Sequence, residues 1–381
     1  MGDSDGSLRA CLFRVPLMLF SCVSIFSRSF FNNYILAEGG MTHAFVEPIF
    51  WVVDSVLISI GPFLTVLVIF ISGFTVFIAY WILFPFYRRQ SEWLAYTLAV
   101  IGNWILINFV FNYYMGFSTS PGHPPKHSVS SKSSDVCKKC LTPKPPRTHH
   151  CSICDQCILK MDHHCPWMNH CVGHWNHRYF YMFMIYTLLG CAFLFIIGYR
   201  PAYSILVANS KHFDFHYENV HDVLAAIPEG KLGRRDTMFF RSSFQPMKIP
   251  LSYYLETYQF RYKSLMFLSL VLCVIFCAVL TLSLWHAKLI SGGETSVEFL
   301  KNKYEMTKKK KEGGTFKNPF DFGWKTNWRI FLGLYGGRTI WRHILLPSTH
   351  KPLDNGVTWT TSEDIQAMIN GKPSKDTLHS C

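Results

Sequence analysis

The hydrophobic residues of this chain are concentrated in four long runs, and none of these runs contains Asp, Glu, Lys or Arg. An α-helix needs about 20 apolar residues to cross the hydrocarbon core of a bilayer, and each run meets that length. A soluble helix of this length would show a polar face, which these runs lack. We therefore predict four transmembrane helices, over residues 61–86, 93–117, 179–199 and 264–285.

A fifth apolar run, at residues 15–26, is shorter and follows two arginines. It fits either the core of a signal peptide, which would place the loop between the second and third spans in the lumen, or a segment lying at the membrane interface. That loop and the lysine run at 308–311 are basic, which marks the cytosolic side, although Arg88 and Arg89 in the first loop argue the other way. We expect an interfacial segment and both termini in the cytosol.

Composition supports a membrane protein. Of the 381 residues, 49% are hydrophobic and 16% are aromatic, yet the net charge is +13. This combination is too apolar for an ordinary soluble domain. The lipid bilayer is therefore an expected partner, and no nucleic acid is expected.

Seven cysteines and two adjacent histidine pairs lie within residues 137–171. Cytosolic thiols stay reduced, so this density favours metal ligation over disulfides. Cys137 and Cys140 form one CxxC knuckle, Cys151 and Cys154 form a second, and Cys157 continues the spacing. Two tetrahedral zinc sites with one imidazole each would use six thiolates and leave one cysteine over. Spacing alone does not choose between His149 and His150 as a ligand.

The segment Asp162-His163-His164-Cys165-Pro166 separates these residues by role. Pro166 disfavours a helical conformation at Cys165 and favours an extended one, in which alternate side chains share a face. His163 and Cys165 then lie together, whereas His164 faces the other way and is free to bind metal. A thiol beside an imidazole is an activated nucleophile, and Asp162 can orient that imidazole. We predict that Cys165 is the nucleophile, with His163 as its base.

These motifs are similar to the DHHC cysteine-rich domain of membrane protein S-acyltransferases, and a domain between the second and third of four spans is that family's layout. The matching residues are Cys137-x2-Cys140, Lys144-Pro-Pro-Arg147, His149-His150-Cys151, Cys154, Cys157, Asp162-His163-His164-Cys165-Pro-Trp167 and Asn169-x-Cys171-x-Gly173. Thr295-Ser296-Val297-Glu298 resembles the family's TTxE motif, and Asn318-Pro319-Phe320, with Asn327 and Trp328, resembles its aromatic C-terminal motif. Flanking residues at 47–51 and 293–296 are most similar to the Abl-philin-like branch.

The resemblance implies an all-α membrane protein with four transmembrane helices and a cytosolic zinc-binding domain. The implied organisation is a cytosolic N-terminal region with an interfacial segment (1–60), transmembrane helices 1 and 2 (61–117), the cysteine-rich domain (118–178), helices 3 and 4 with a lumenal loop at 200–263 (179–285), and a cytosolic C-terminal region (286–381). One structural zinc would be held by Cys137, Cys140, His150 and Cys157, and the other by Cys151, Cys154, His164 and Cys171.

The resemblance also implies the reaction. Palmitoyl-CoA would acylate Cys165, and the acyl group would pass to membrane-proximal cysteines of substrate proteins. Lys144, Arg147 and His149 match the positions that contact the CoA head group, although Lys144 and Arg147 could instead face anionic lipid. Trp167 could line the same site or anchor the domain at the membrane interface.

Three positions depart from the family pattern, and one of them is His170, which stands where asparagine is usual. Ser296 replaces the second threonine of TTxE but keeps a hydroxyl that could bond Asp162 or a nearby backbone group. Ser120 replaces the aspartate of a DPG motif, which puts the contact made by that carboxylate in doubt. The branch suggests the endoplasmic reticulum membrane, with the Golgi membrane as the alternative.

Two other functions would fit parts of the sequence. A transporter is disfavoured because the spans lack the charged residues that ion paths need. A catalytically inactive zinc-dependent scaffold would keep the same zinc domain, but Cys165 would carry no thioester.

Overall fold

The computed structural model describes residues 41–125, 136–214 and 251–360. The apolar run at 15–26 and the central part of the predicted lumenal loop lie outside the described residues. Four helices in the described part are long and apolar enough to cross a membrane, which confirms the four predicted spans. The membrane-length segments are Ile58–Gln90, Glu92–Ser118, His177–Tyr203 and Lys263–Ser291.

The first span is a continuous helix with one irregular turn. Helix α1 (Met41–Ile78) continues through a π-helical turn (Ala79–Leu83) into α2 (Phe84–Gln90). The irregular turn directly precedes Pro85, which lacks the N–H that an α-helical ladder would need there. Helix α1 begins before the predicted span, inside the segment assigned to the N-terminal region.

The second span is helix α3 (Glu92–Ser118), and its start is set by Ser91. The Ser91 side chain accepts a hydrogen bond from the Leu94 N–H, and Glu92 lies in the first turn, where negative charge is favourable. The third and fourth spans lie in α4 (His177–Asp214) and α5 (Leu251–Ser291). Helix α4 packs against both α3 and α5 and is the most enclosed of the four spans.

Between α3 and α4, the chain forms two short antiparallel hairpins. Strand β1 (His149–Cys151) pairs with β2 (Gln156–Ile158), and β3 (His163–Cys165) pairs with β4 (His170–Val172). The zinc domain therefore adds a small amount of β-structure to a mostly helical chain. Asn176 joins this domain to the membrane helices, because it is fully buried and its Nδ2 donates both to the Gly116 carbonyl and to the Cys171 carbonyl.

The C-terminal region packs back against the zinc domain and the membrane helices. It contains α6 (Ser296–Lys311), α7 (Trp324–Phe331) and the short α8 (Ile340–His343). After α8, the Ile344 carbonyl accepts a hydrogen bond from Tyr186 Oη, and the Leu345 carbonyl accepts one from Trp104 Nε1. These bonds attach the C-terminal chain to both the second and the third span.

Candidate active site and metal centres

Two groups of side chains in the zinc domain have the composition of zinc sites. In each group, one ligand atom from every residue lies within 4.8 Å of the others. Three thiols and one imidazole make up each set, which is the donor chemistry of a closed, structural zinc site. The groups are Cys137, Cys140, His150 and Cys157, and Cys151, Cys154, His164 and Cys171.

The residues of both groups fit a zinc ion. His150 Nδ1 lies 3.2 Å from Cys140 Sγ, and His164 Nδ1 lies 3.3 Å from Cys154 Sγ. Opposite each other in their hairpins, His150 pairs with Cys157 and His164 pairs with Cys171. The pairing explains why each hairpin contributes one imidazole and one thiol to the same group.

The two groups follow one interleaved repeat. The histidine lies 13 residues after the first cysteine in both, at His150 after Cys137 and at His164 after Cys151. The last cysteine then follows the histidine by 7 residues in both groups. This internal repeat distinguishes His150 from His149, and it is a spacing signal that the sequence analysis missed.

The proposed nucleophile lies between the zinc groups and the membrane helices. Strand β3 is extended through His163, His164 and Cys165, as predicted from Pro166. Cys165 belongs to neither zinc group and is buried in a hydrophobic cluster with residues of the spans, including Tyr113 and Phe180. The thiol therefore lies where the zinc domain meets the membrane helices.

His163 lies between Cys165 and Asp162. Its Nδ1 is 2.5 Å from Asp162 Oδ2, and its ring packs edge-on against Phe180. Burial by itself would lower the pKa of His163, but the Asp162 hydrogen bond and a further interaction with Cys165 raise that pKa to about 10. The imidazolium form is thus stabilised between the thiol and the carboxylate.

Asp162 is completely enclosed. Its two oxygens accept hydrogen bonds from the Ser296 N–H at 2.8 Å and from Ser296 Oγ at 3.2 Å, besides the bond to His163. Burial would raise the pKa of Asp162, but the surrounding imidazoles hold it well below its ordinary value. The carboxylate is therefore ionised and fixed in position, and the replacement of threonine by Ser296 preserves the hydroxyl contact.

Ser296 is positioned by the start of α6. Thr295 caps this helix, because its Oγ1 accepts from the Glu298 N–H while Glu298 Oε2 accepts from the Thr295 N–H. This reciprocal pair is a capping box, which satisfies two backbone donors at a helix start. Ser296 follows directly and directs its N–H at Asp162. The TTxE-like motif is thus a helix cap that contacts the candidate active site.

Arg147 ties the zinc domain to the same helix cap. Its guanidinium bonds both oxygens of Glu298 at 2.6 Å and the Gly293 carbonyl at 2.8 Å. Arg147 also stacks on the rings of Phe320 and Trp359, at 4.2 Å and 4.7 Å from their centroids. The Arg147 guanidinium therefore donates its hydrogen bonds to other residues of the protein. The roles of Glu298 and Trp359 as its partners were missed in the sequence analysis, because they depend on contacts between distant parts of the chain.

The other residues proposed to contact CoA lie nearer the surface. Lys144 and His149 are half-buried, and Trp167 is 47% exposed. Burial lowers the pKa of His149; Glu298 opposes this effect, and the positive charges of Lys144 and Lys301 add to it. Lys144 and Lys301 therefore place two positive charges beside an uncharged His149 ring, and Lys301 was missed in the sequence analysis.

Ser120 forms a local turn where the family pattern has an aspartate. Ser120 Oγ accepts a hydrogen bond from the Gly122 N–H at 3.3 Å, and the Gly122 carbonyl accepts from the Leu159 N–H at 2.9 Å. Gly122 has a φ of +98°, and a Cβ there would come within 2.6 Å of the Trp175 ring. The Ser120 hydroxyl thus accepts a local hydrogen bond within this turn.

An apolar cavity of about 1090 Å³, including its open mouth, lies among the spans. Its wall includes Ala99, Phe109, Tyr186 and Ile197. Phe109 stacks on Tyr113, whose Oη donates to the Trp167 carbonyl. Two contacts therefore connect the cavity wall to Trp167, which lies two residues after Cys165.

Comparisons with known proteins identify relatives that extend over most of the chain. Residues 130–303 match the DHHC palmitoyltransferase family. The chain is 35% identical over 368 residues to palmitoyltransferase ZDHHC16A of Danio rerio, covering 93% of each chain. It is 36% identical over 341 residues to palmitoyltransferase ZDHHC16 of Homo sapiens, covering 86% of this chain and 82% of that one. It is 37% identical over 338 residues to palmitoyltransferase ZDHHC16B of Danio rerio, covering 87% and 85%.

These relatives belong to the Abl-philin 2 branch, so the predicted family and branch are confirmed. No finding favours the inactive scaffold. The four spans, the cysteine-rich domain between the second and third of them, and the extended similarity lead to one assignment. The chain is a multi-pass membrane protein that belongs to the DHHC family of protein S-palmitoyltransferases.

Proposed function

We propose that this chain transfers a palmitoyl group from palmitoyl-CoA to cysteines of membrane-associated proteins through a thioester on Cys165. The contacts from Cys165 to His163 and from His163 to Asp162, next to the membrane helices, are the observation that carries this proposal. Cys165 is the cysteine of the zinc domain that lies in neither zinc group. It interacts with His163, which in turn bonds the buried Asp162.

The first step is acylation of the enzyme. His163 accepts the proton of the Cys165 thiol, and the sulfur attacks the thioester carbonyl of the donor. The bond between the carbonyl carbon and the CoA sulfur breaks, and the proton passes from His163 to the departing CoA thiolate. Asp162 fixes the orientation of His163 and stabilises the imidazolium that forms between these events.

The second step returns the enzyme to its starting state. The acceptor cysteine gives its proton to His163 and attacks the thioester carbonyl on Cys165. The bond between the acyl carbon and Cys165 Sγ breaks, and the proton on His163 returns to that sulfur. Ordered use of one thiol in both steps is a ping-pong scheme.

Zinc would act here as a structural ion. Each group of four ligands closes a tetrahedral site without an open position for substrate. Zinc bound there would fold the segment that carries β3 and would thereby hold His163 and Cys165 in their extended arrangement. His164 is the link, since it belongs to the second group and lies between the two reacting residues.

The acyl chain of the donor would bind among the membrane helices, and its CoA head group would bind at the membrane surface. The apolar cavity suits a C16 chain, whose transfer from water is favourable by about 0.8 kcal/mol for each buried CH₂ group. Lys144 and Lys301 would provide positive charge for the phosphates of CoA, and the uncharged ring of His149 would donate a hydrogen bond to them. Arg147 would contribute mainly by holding the helix cap in place, because its guanidinium already bonds Glu298. Trp167 would cover the entrance at the membrane surface.

We propose that the zinc domain and both termini face the cytosol, in the endoplasmic reticulum membrane. Two features support this orientation: the basic loop around the zinc domain and the lysine run that forms the last turn of α6. The compartment follows from the branch, with the Golgi membrane as the alternative.

Labelled palmitoyl-CoA tests the proposal. Purified wild-type protein should incorporate hydroxylamine-labile label, and Cys165→Ser should not. Cys191→Ser is the matched control, because Cys191 is also buried and lies among the spans away from Asp162. The scaffold alternative requires no label on the wild type. Full labelling of His163→Ala would remove His163 from the scheme.

A further inference from the structure

Two more histidines lie beside Asp162 and take no part in the scheme above. His177 is at the start of α4, and His286 is near the end of α5. Their side chains are 4% and 2% exposed. Together with Asp162 they offer three ligand atoms that all lie within 4.8 Å of one another, and His286 Nδ1 is 3.9 Å from Asp162 Oδ2.

The two imidazoles have polar atoms that nothing in the described part of the chain satisfies. Both ring nitrogens of His177 and Nδ1 of His286 are buried without a hydrogen-bond partner among the described residues. Native structures pair nearly all buried polar groups. One ligand nitrogen of each ring lies within 4.8 Å of an oxygen of the buried Asp162, so these unpaired groups require an explanation.

Aromatic side chains surround the two imidazoles. Phe180 packs 5.1 Å from the His286 ring and 6.5 Å from the His177 ring, measured between ring centroids. Phe331 packs edge-on 5.1 Å from His177. These phenyl rings supply no hydrogen-bonding atoms, so the imidazoles face each other and Asp162 across a mostly apolar space.

We propose that Asp162, His177 and His286 form a third metal site, which takes a divalent first-row transition ion such as Zn²⁺. Two imidazoles and one carboxylate are an established donor set for such ions, which commonly take a water molecule as a further ligand. The set contains no thiolate, unlike the two zinc groups of the cysteine-rich domain. The ion is accordingly held more weakly than the structural ions and exchanges with the medium.

An ion at this site competes with the active-site hydrogen bonds. Asp162 Oδ2 already accepts from His163 and from Ser296 Oγ. A metal bound to the same carboxylate withdraws negative charge from His163, so acylation slows when the site is occupied. This consequence, unlike metal binding itself, rests on the proposed function.

Metal titration of the full-length protein tests the site directly. Protein carrying its two tightly bound zinc ions is titrated with Zn²⁺ against a chromogenic chelator. Wild type should bind a third equivalent, whereas His177→Ala and His286→Ala should keep two and lose the third. Ser283→Ala is the matched control: Ser283 is a buried polar residue one turn from His286, and it should retain all three.

Cobalt gives a second readout that does not depend on any variant. Protein that carries its two zinc ions is titrated with Co²⁺, so that the cobalt ion is the third metal ion bound. This ion should add visible absorption without the near-ultraviolet charge-transfer band that thiolate ligands produce. Three results would each overturn the proposal. The wild type could saturate at two ions, both histidine variants could retain a third ion, or the third ion could produce a thiolate band.

Activity is measured separately. Added Zn²⁺ should inhibit acylation of the wild type over the range in which the third site fills, and His286→Ala should need at least tenfold more. Inhibition at equal zinc concentrations in both proteins would overturn the competitive role. If Cys165 were never acylated, the binding data would still decide whether the third site exists.

Discussion

Ser296 donates two hydrogen bonds to Asp162, one from its backbone N–H at 2.8 Å and one from its hydroxyl at 3.2 Å. Ser296 is the first residue of α6, and the positive end of that helix therefore points at the carboxylate that orients His163. A helix after the fourth span thus helps to fix the proposed catalytic histidine. The contact connects the TTxE-like motif to the chemistry of the zinc domain.

Ser296 variants should reduce acylation in proportion to the bonds removed. Hydrogen bonds to charged groups contribute about 1.5–3 kcal/mol, so Ser296→Ala should lower the autoacylation rate constant by about ten- to hundredfold. Ser296→Pro removes the N–H as well and should be slower still. Proline suits the first position of a helix, and Thr295 already has the extended conformation that precedes proline, so α6 should persist. Ser296→Thr should retain activity. A proline variant with wild-type rates would contradict the role.

Loss of either member of the Arg147–Glu298 pair should destabilise the protein. Their side chains are only 6% and 9% exposed, and removing one partner of a buried pair costs about 3–5 kcal/mol. Arg147→Met and Glu298→Gln should each lower the midpoint of thermal unfolding, measured by intrinsic fluorescence in detergent. The double variant should be less destabilised than the sum of the two, because it leaves no unpaired charge.

The Arg88–Glu92 pair is the control for that measurement. Both of its side chains are more than half exposed, and surface pairs of this kind contribute about 0–1 kcal/mol. Arg88→Met should therefore change the unfolding midpoint very little. An effect as large as that of Arg147→Met would show that loss of any arginine lowers stability, irrespective of burial.

Proteins with an alanine at His149 or at its neighbour His150 should differ in zinc content. His150 Nδ1 faces three thiols of the first zinc group, so His150→Ala should lose one zinc equivalent by elemental analysis. His149→Ala should keep two, and His150→Cys should also keep two because it restores a fourth ligand. Zinc loss from His149→Ala alone would contradict the ligand assignment.

Much of this arrangement could be predicted from sequence because the signals were local. Charge-free runs predicted the four spans, and the alternation before Pro166 predicted the extended strand that carries His163 and Cys165. The bonds from Arg147 to Glu298 could not be predicted in this way, since 151 residues separate the partners and only the packed fold brings them together. The proximity of His177 and His286 to Asp162 could not be predicted either. Each histidine lies in a helix whose sequence resembles an ordinary span, and only the packed fold brings the three residues together. The capping box at Thr295 was readable from its spacing to Glu298, but it was treated only as part of a motif.

A narrower apolar cavity should shift the preference of the enzyme toward donors with shorter acyl chains. Ala99 lies in the cavity wall, so Ala99→Phe should lower the rate with palmitoyl-CoA more than the rate with myristoyl-CoA. Val100 is the matched control, because it is the next residue of α3 and is 69% exposed on the outer surface of the helices. Val100→Phe should leave the ratio of the two rates unchanged. An unchanged ratio in Ala99→Phe would place the acyl chain elsewhere.

The most direct test of the account is to locate the acyl group during a single turnover. Wild-type protein is mixed with one equivalent of palmitoyl-CoA, and the modified peptide is identified by mass spectrometry before and after addition of a cysteine-containing acceptor peptide. The account predicts a hydroxylamine-labile palmitoyl group on Cys165 that disappears as the acceptor becomes acylated. An acceptor that is acylated while Cys165 stays unmodified, or an adduct on Cys165 that the acceptor cannot discharge, would contradict it.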